Sequence, residues 1–274
     1  MMLITPEALH ARLADVVVLD ASLHLPGTGR DATAEFEAAH IPGALRFDID
    51  VIADTTSGLP HTLPSPEAFA AAVGALGIGN DTEVVVYDAE GFYSAPRARW
   101  MFRVMGHDAA ILDGGLAAWR AAGLPVESGP APAATPRHFT ATYNPDLFAS
   151  GDDVARVLAD GTAVVADARA ADRFYGRVAE PRAGLRGGHM PGAHNVPFTS
   201  LVADGRLKSP AEVRDIFQKA GVDLDKTVVT TCGSGVTAAV LSLALETIGK
   251  PSAVYDGSWT EWGSDPKRPV TTED

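Results

Sequence analysis

The only cysteine of the chain, Cys232, lies in a setting that suits a nucleophilic thiol. It follows the β-branched run Val228–Thr231 and precedes a loop containing Gly233 and Gly235, after which residues 238–248 have the pattern of a helix. Glycines allow successive main-chain N–H groups to turn toward one point, and a helix N-terminus adds positive potential there. This setting favours a thiolate, and it would equally stabilise the terminal sulfur anion of a persulfide.

Two other interpretations of Cys232 compete with this one. A lone cysteine is most often a buried, inert core residue, but the junction of a strand, a glycine loop and a helix disfavours that interpretation here. Cysteine-dependent phosphatases also use an anion-binding loop, and they hold the phosphate dianion with an arginine at the position that Ala238 occupies. Neither the loop nor the helix that follows it contains an arginine, so the sequence disfavours a phosphatase.

The chain contains an internal repeat, which indicates how this loop is positioned. Four landmarks of the first half recur in the same order in the second half. The pairs are Val16–Asp20 with Ala163–Asp167, His40–Ala44 with His189–Ala193, Val84–Asp88 with Val228–Cys232, and Asp113–Gly115 with Asp256–Ser258. The two members of the fourth pair are one residue closer together in the chain than those of the third pair. The second half has therefore lost one residue between these two landmarks.

Short β-branched runs alternate with helical patterns in each half, which predicts βα units around a mainly parallel sheet. The predicted helices are Pro66–Leu76, Pro96–Met105, Ala211–Ala220 and Thr237–Ile248. Between the halves, closely spaced prolines cannot sustain a helix or a central strand. We therefore predict an α/β fold with two tandem domains, residues 1–127 and 145–274, joined by a linker at 128–144. Ligands of such sheets bind beyond the carboxyl ends of the strands.

The composition limits the classes of partner. The 274 residues carry a formal net charge of −13, which argues against nucleic acid and anionic membrane surfaces, since both attract clustered Lys and Arg. The N-terminal segment lacks the pattern of a signal peptide, and no stretch approaches the ~18 apolar residues of a membrane span. One cysteine excludes an intramolecular disulfide and a multi-cysteine metal site. A cytoplasmic location is expected, and any anionic substrate needs a local positive pocket.

The loop that begins at Cys232 resembles the active-site loop of the 3-mercaptopyruvate sulfurtransferases, which are tandem rhodanese-domain proteins. The resemblance spans almost the whole chain and includes Phe47–Asp50, Leu112–Gly115 and Tyr255–Trp259. It implies a catalytic C-terminal domain and a silent N-terminal one, where Asp88 stands at the position equivalent to Cys232. A carboxylate cannot carry transferable sulfur. The loop residues that the resemblance implies in substrate binding are Gly233, Gly235, Val236 and Thr237.

The family divides between thiosulfate and 3-mercaptopyruvate as sulfur donors. Enzymes that prefer thiosulfate, a compact dianion, place basic residues directly after the cysteine, whereas Gly233 and Ser234 are neutral here. Two unit charges about 4 Å apart interact by roughly 4 kcal/mol at an effective dielectric constant near 20, so the loss of such cations is substantial. The neutral loop therefore favours 3-mercaptopyruvate, whose single charge is remote from its sulfur.

The carboxylate of 3-mercaptopyruvate needs a binding group away from the loop. The resemblance assigns it to Arg173 and Arg182, and an arginine can hold a carboxylate through two hydrogen bonds. Without the resemblance, both would be interpreted as solvated or ion-paired arginines, and Arg177 is a possible substitute.

Abstraction of sulfur leaves pyruvate as its enolate, so a proton has to be managed near the leaving group. The resemblance assigns this role to a triad of Ser234, His61 and Asp50, in which a carboxylate orients an imidazole that polarises a hydroxyl. The triad would bring the first half of the chain into the chemistry. From the residues alone, His61 would be a loop histidine and Asp50 a turn residue. One departure from the family is Ser65 after Pro64, where a proline-glycine turn is usual.

Four residues that recur in both halves are predicted to be structural. His40 and His189 recur although one half lacks the nucleophile, which favours a role in fixing a turn. Trp119 and Trp262 follow the Asp-Gly turns and are predicted core anchors.

The predicted reaction has two steps. The Cys232 thiolate takes sulfur from 3-mercaptopyruvate, and the persulfide then passes its outer sulfur to a thiol, such as a thioredoxin-like protein or a small thiol, or to cyanide. No metal or organic cofactor is expected. A thiosulfate-preferring enzyme is the alternative within the class, and a non-catalytic sulfur-sensing or binding module is the alternative outside it.

Overall fold

Two five-stranded parallel sheets organise the computed structural model, which describes residues 2–25 and 27–273. The chain divides into two units. The first comprises the chain up to Asp54, Leu63–Asn144 and Asp204–Leu207, and the second comprises Thr55–Thr62, Pro145–Ala203 and the chain from Lys208 onward. The outermost residues of the predicted domains, Met1 and Asp274, lie outside the described residues.

The first unit has the sheet order β1-β5-β4-β2-β3, and all its strand pairs are parallel. Its strands are β1 (Leu3–Ile4), β2 (Val17–Asp20), β3 (Leu45–Arg46), β4 (Val84–Tyr87) and β5 (Ala110–Leu112). Its helices are α1 (Pro6–His10), α2 (Ala32–Ala38), α3 (Ile49–Ile52), α4 (Pro66–Ala75), α5 (Ala95–Val104) and α6 (Gly115–Ala121).

The second unit has the sheet order β6-β12-β11-β7-β8, again with parallel pairs only. Its sheet strands are β6 (Phe148–Ala149), β7 (Ala163–Asp167), β8 (His194–Asn195), β11 (Thr227–Thr231) and β12 (Ser252–Tyr255). A further short strand of this unit is β9 (Val202–Ala203), whereas the short strand β10 (Arg206–Leu207) belongs to the first unit. The helices are α7 (Gly151–Asp160), α8 (Ala171–Phe174), α9 (Pro210–Lys219), α10 (Ala238–Thr247) and α11 (Ser258–Ser264), with 3-10 turns at Pro145–Leu147 and Phe198–Ser200.

The two sheets have the same strand order, which confirms the predicted α/β repeat. The four predicted helices are confirmed to within one residue at each end. The structure also locates the lost residue. The loop from Asp88 to the start of α5 at Ala95 is one residue longer than the loop from Cys232 to the start of α10 at Ala238.

Local sequence explains where the helices begin and which of them are central. Ser209 and Glu212 form a reciprocal capping box at α9, and Ser65 caps α4 ahead of Pro66. α10 is apolar around its circumference, and all of 238–245 is buried. A helix that is hydrophobic on every face has to be enclosed, so α10 forms a rigid support directly behind the Cys232 loop.

The recurring histidines and tryptophans have structural roles in both units, as predicted. The ring of His40 stacks on Phe36 and contacts its carbonyl oxygen at 2.8 Å, and His189 does the same with Phe174 at 2.9 Å. The indoles of Trp119 and Trp262 are buried, and their N–H groups donate to the carbonyls of Pro125 and Pro269.

Residues 128–144, all of them described, contain no helix or strand. This segment is grouped with the first unit, because Arg137 N–H donates to the Gly74 carbonyl and Asn144 N–H donates to the Val104 carbonyl. The domain limits at 127 and 144 stay a prediction.

Candidate active site

Cys232 directly follows β11, the central strand of the second sheet. The residue is buried, with 2 % of its surface exposed, and its thiol is free. The loop after it leads to α10, whose N-cap residue is Thr237. The thiol therefore lies at the strand–loop–helix junction that the sequence predicts.

The start of α11 supports the main chain at Cys232. The N–H of Cys232 donates to Ser258 Oγ at 3.2 Å, and the carbonyl of Cys232 accepts from Trp259 N–H at 3.0 Å. The carbonyl of Gly233 accepts from both the N–H and the hydroxyl of Thr260, at 2.9 and 2.7 Å. These bonds fix the peptide groups on both sides of the cysteine.

The N–H groups at the far end of the loop are available to an anion. Gly235 has φ +81°, a left-handed conformation that costs glycine little, and it redirects the chain into α10. Within residues 2–25 and 27–273, the N–H groups of Val236, Thr237 and Ala238 have no acceptor. Buried N–H groups are almost always paired, so this group of donors is suited to bind a negative group.

The first unit shows what the equivalent donors bind there. The Asp88 carboxylate accepts the N–H groups of Glu90, Tyr93, Ser94 and Ala95 at 2.8–3.0 Å. Burial raises the pKa of this carboxyl, while the four hydrogen bonds act in the opposite direction. The loop at this end of the repeat is therefore a main-chain anion cradle, and in the first unit a carboxylate of the chain itself fills it.

Arg173 lies beside the Cys232 loop. A Cβ atom added to Gly233 would come within 3.0 Å of Arg173 Nη2, so the guanidinium lies closely against this glycine. Nε and Nη2 of Arg173 donate to Glu180 at 3.3 and 2.6 Å. The guanidinium is 24 % exposed, and it provides a cation next to the loop that lacks basic residues of its own.

Arg182 and His61 are in contact within the second unit, where Arg182 Nη2 lies 3.2 Å from His61 Nε2. A guanidinium can only donate, so Nε2 accepts and the ring proton is on Nδ1. Ser234 is buried, and its hydroxyl makes no hydrogen bond within the part of the chain that the structure describes. The structure thus brings His61 to Arg182, whereas the hydrogen bond between His61 and Ser234 stays a prediction.

The remaining predicted residues lie as follows. Asp50 is exposed in the first turn of α3, where its N–H donates to Asp48, and it belongs to the first unit. Its pairing with His61 stays a prediction. Arg177 pairs with Asp172 at 3.5 Å, stacks on Tyr175 and is 60 % exposed. The structure gives it a surface setting.

Sequence reasoning missed two groups of residues near the cysteine. Ser258 has φ +49°, and the equivalent Gly115 has φ +57°. The repeat pairs these two positions, so the replacement of glycine by serine was the sequence signal that could have identified Ser258. The buried side chains of Glu180 and Arg169 belong to no motif, and no pattern in the sequence points to them.

Within residues 2–25 and 27–273, no helix is long and apolar enough to span a bilayer. The same residues contain no group of three or more His, Cys, Asp or Glu side chains that could hold a metal ion.

Comparison with known proteins identifies the domains. The family model of the rhodanese-like domain matches twice, at residues 5–122 and 150–265. The chain is 48% identical over 263 residues to the 3-mercaptopyruvate sulfurtransferase of Homo sapiens, covering 93% of this chain and 88% of the relative. It is 47% identical over 251 residues to the thiosulfate sulfurtransferase of Rattus norvegicus, covering 89% and 84%.

Solved structures agree with this assignment. The crystal structure of SseA from Escherichia coli, which has the rhodanese fold, superposes with a TM-score of 0.87 at 42% identity, covering 94% of this chain and 99% of SseA. The matched domains, the identity and the coverage lead to one conclusion: the chain belongs to the tandem rhodanese-domain sulfurtransferase family.

Proposed function

We propose that this chain transfers sulfur from 3-mercaptopyruvate to a thiol or cyanide acceptor through a persulfide on Cys232. The Cys232 thiolate attacks the donor sulfur, a sulfur–sulfur bond forms, and the carbon–sulfur bond breaks. Its electron pair leaves on carbon as the enolate of pyruvate, which takes up the proton of the donor thiol. The products are pyruvate and the Cys232 persulfide anion, so atoms and charge balance.

The observation that carries this proposal is the pair of equivalent loops. In the first unit the cradle holds an oxygen of Asp88, two bonds beyond Cβ. In a cysteine persulfide the outer sulfur is also two bonds beyond Cβ, whereas a simple thiolate sulfur is one bond short. The carboxylate of Asp88 is thus an internal analogue of the persulfide anion, and the donors at Val236, Thr237 and Ala238 suit the same charge.

Two arginines of the second unit support 3-mercaptopyruvate as the donor. Arg173 lies against Gly233, and Arg182 lies on His61. A donor carboxylate between these arginines would direct its sulfur toward the loop. It would also compete with His61 for Arg182, and the freed Nε2 could then polarise Ser234 and assist proton transfer to the enolate.

Mass spectrometry of the intact protein tests the first step. After incubation with 3-mercaptopyruvate and no acceptor, the wild type should gain one sulfur atom, removable by dithiothreitol, whereas Cys232→Ser should gain none. Because Cys232 is buried, alkylation by iodoacetamide of the native protein is the matched test of access. A wild type that gains no sulfur would reject the mechanism.

Thiosulfate is the second candidate donor, because the rat relative named for thiosulfate is nearly as similar as the human relative named for 3-mercaptopyruvate. The neutral pair Gly233 and Ser234 favours the carboxylate donor. Steady-state kcat/KM for both donors, with cyanide as the common acceptor, decides between them. A higher value for thiosulfate would overturn the donor assignment and leave the persulfide chemistry intact.

The acceptor and location are part of the same proposal. The outer sulfur of a persulfide is electrophilic toward thiolates, so a thioredoxin-like protein or a small thiol is the expected acceptor. A reducing compartment maintains such thiols, and a cytoplasmic location is proposed on that ground.

A further inference from the structure

Arg173 is held along one edge of its guanidinium plane. Nε and Nη2 both donate to the carboxylate of Glu180, which is the two-bond geometry that arginine forms with carboxylates. Nη1 makes no hydrogen bond within the described residues. One edge of the guanidinium is therefore anchored, and the other remains for a second carboxylate.

The Glu180 carboxylate is buried and accepts hydrogen bonds from two arginines. Its side chain is 1 % exposed, and Oε1 also accepts from Arg169 Nη1 at 3.0 Å. A buried carboxylate is costly unless it is paired, and here two guanidinium groups pair it. Glu180 thus has little freedom to move, and it limits where Arg173 can lie.

The second guanidinium is fixed on all sides. Arg169 is fully buried and makes a two-nitrogen contact with Asp167, at the end of β7. Its Cζ lies 4.2 Å from the centroid of the Trp259 ring. The main-chain N–H of Trp259 donates to the Cys232 carbonyl. Burial opposes the charge of Arg169, but Asp167 and Glu180 outweigh it and raise its pKa. The chain of contacts links the β7 strand end, the cysteine main chain and Glu180.

We propose that Glu180 is a positioning residue that orients Arg173 toward the carboxylate of the sulfur donor. This inference rests on the proposed function. The charges alternate from Asp167 through Arg169 and Glu180 to Arg173, and the donor carboxylate extends this alternation. Without the Glu180 charge, Arg169 and Arg173 would face each other as like charges, and the more exposed Arg173 would move away from the loop.

The test compares four proteins: wild type, Glu180→Gln, Arg173→Gln and the double variant. Glu180→Gln is expected to raise KM for 3-mercaptopyruvate about tenfold, since charged hydrogen bonds orient the binding group, and to change kcat less than about threefold. Thiosulfate has no carboxylate, so its kcat/KM should stay within about twofold. In the Arg173→Gln background, the Glu180 substitution should add less than about twofold, because the two residues act as a unit.

The outcomes separate this inference from the function on which it rests. If Arg173→Gln weakens use of 3-mercaptopyruvate and Glu180→Gln does not, the positioning role is wrong and the proposed function stands. Equal losses with both donors would show a structural role only, and a lower KM would show that Glu180 weakens the clamp. If Arg173→Gln leaves the kinetics unchanged, the carboxylate clamp itself fails. If Glu180→Gln does not fold, Glu180→Asp replaces it, since aspartate keeps the negative charge but is one methylene group shorter. Its KM should lie between that of the wild type and that of Arg173→Gln.

Discussion

Among single residues, Ser258 determines much of the geometry around the cysteine. It is fully buried at φ +49°, a conformation that costs a residue with a Cβ about 1–3 kcal/mol. Its hydroxyl donates to the Tyr255 carbonyl and accepts the N–H of Cys232. The first unit has Gly115 in this conformation and Asp88 in place of the cysteine. The serine in this strained conformation therefore occurs in the unit whose loop carries the thiol, and a glycine replaces it in the unit that lacks the thiol.

Two substitutions separate the hydroxyl of Ser258 from its backbone strain. Ser258→Ala keeps the strain and leaves the Cys232 N–H unpaired, so the free energy of unfolding should fall by about 1–3 kcal/mol. Ser258→Gly loses the same hydrogen bond but relieves the strain, and it should be more stable than Ser258→Ala by about 1 kcal/mol. Urea unfolding measures both. If the glycine variant is the less stable of the two, strain at this position is not significant.

At the level of elements, the sequence predicted the sheets and helices because the repeat supplied two copies of each pattern. Buried β-branched strands and capped helices are local features, and Ser65, Ser209 and their neighbours mark helix starts directly. The pairing of Arg182 with His61 could not be predicted in the same way. It joins residues far apart in the chain, and side-chain contacts of that kind depend on packing that no local pattern records. The same holds for Glu180.

The loop between β4 and α5 leads to a pH-dependent prediction. Asp88→Asn replaces one acceptor oxygen by a donor that faces N–H donors, so it should lower the free energy of unfolding by about 1–3 kcal/mol. Burial raises the pKa of the Asp88 carboxyl. The protonated carboxyl is therefore more favourable in the folded state than in the unfolded chain. The resulting stability is present below the unfolded pKa and is lost as the pH rises through the folded pKa.

Asparagine does not titrate, so the difference in stability between wild type and Asp88→Asn should be larger near pH 4 than near pH 7, a span of about three pH units. Denaturant unfolding of both proteins at matched pH values measures this difference. A difference that grows with pH would mean that the four main-chain hydrogen bonds outweigh burial and that the pKa of Asp88 is lowered.

For the molecule as a whole, the net charge of −13 opposes the approach of an anionic donor. The arginines near the cysteine do little to offset this field at a distance, because Asp167 and Glu180 neutralise Arg169 and Arg173. Raising the ionic strength from about 0.01 M to about 0.15 M shortens the screening length from about 30 Å to about 8 Å. Distant repulsion is then screened, whereas contacts within the site are screened less.

The value of kcat/KM for 3-mercaptopyruvate should therefore rise about twofold over this range of ionic strength. Alkylation of Cys232 provides a matched control without turnover. The alkylation rate with anionic iodoacetate should rise with salt, while the rate with neutral iodoacetamide should stay constant. The net negative charge of the protein repels only the anionic reagent. A fall in both kcat/KM and the iodoacetate rate would mean that the local arginines, and not the overall charge, govern the approach of the donor.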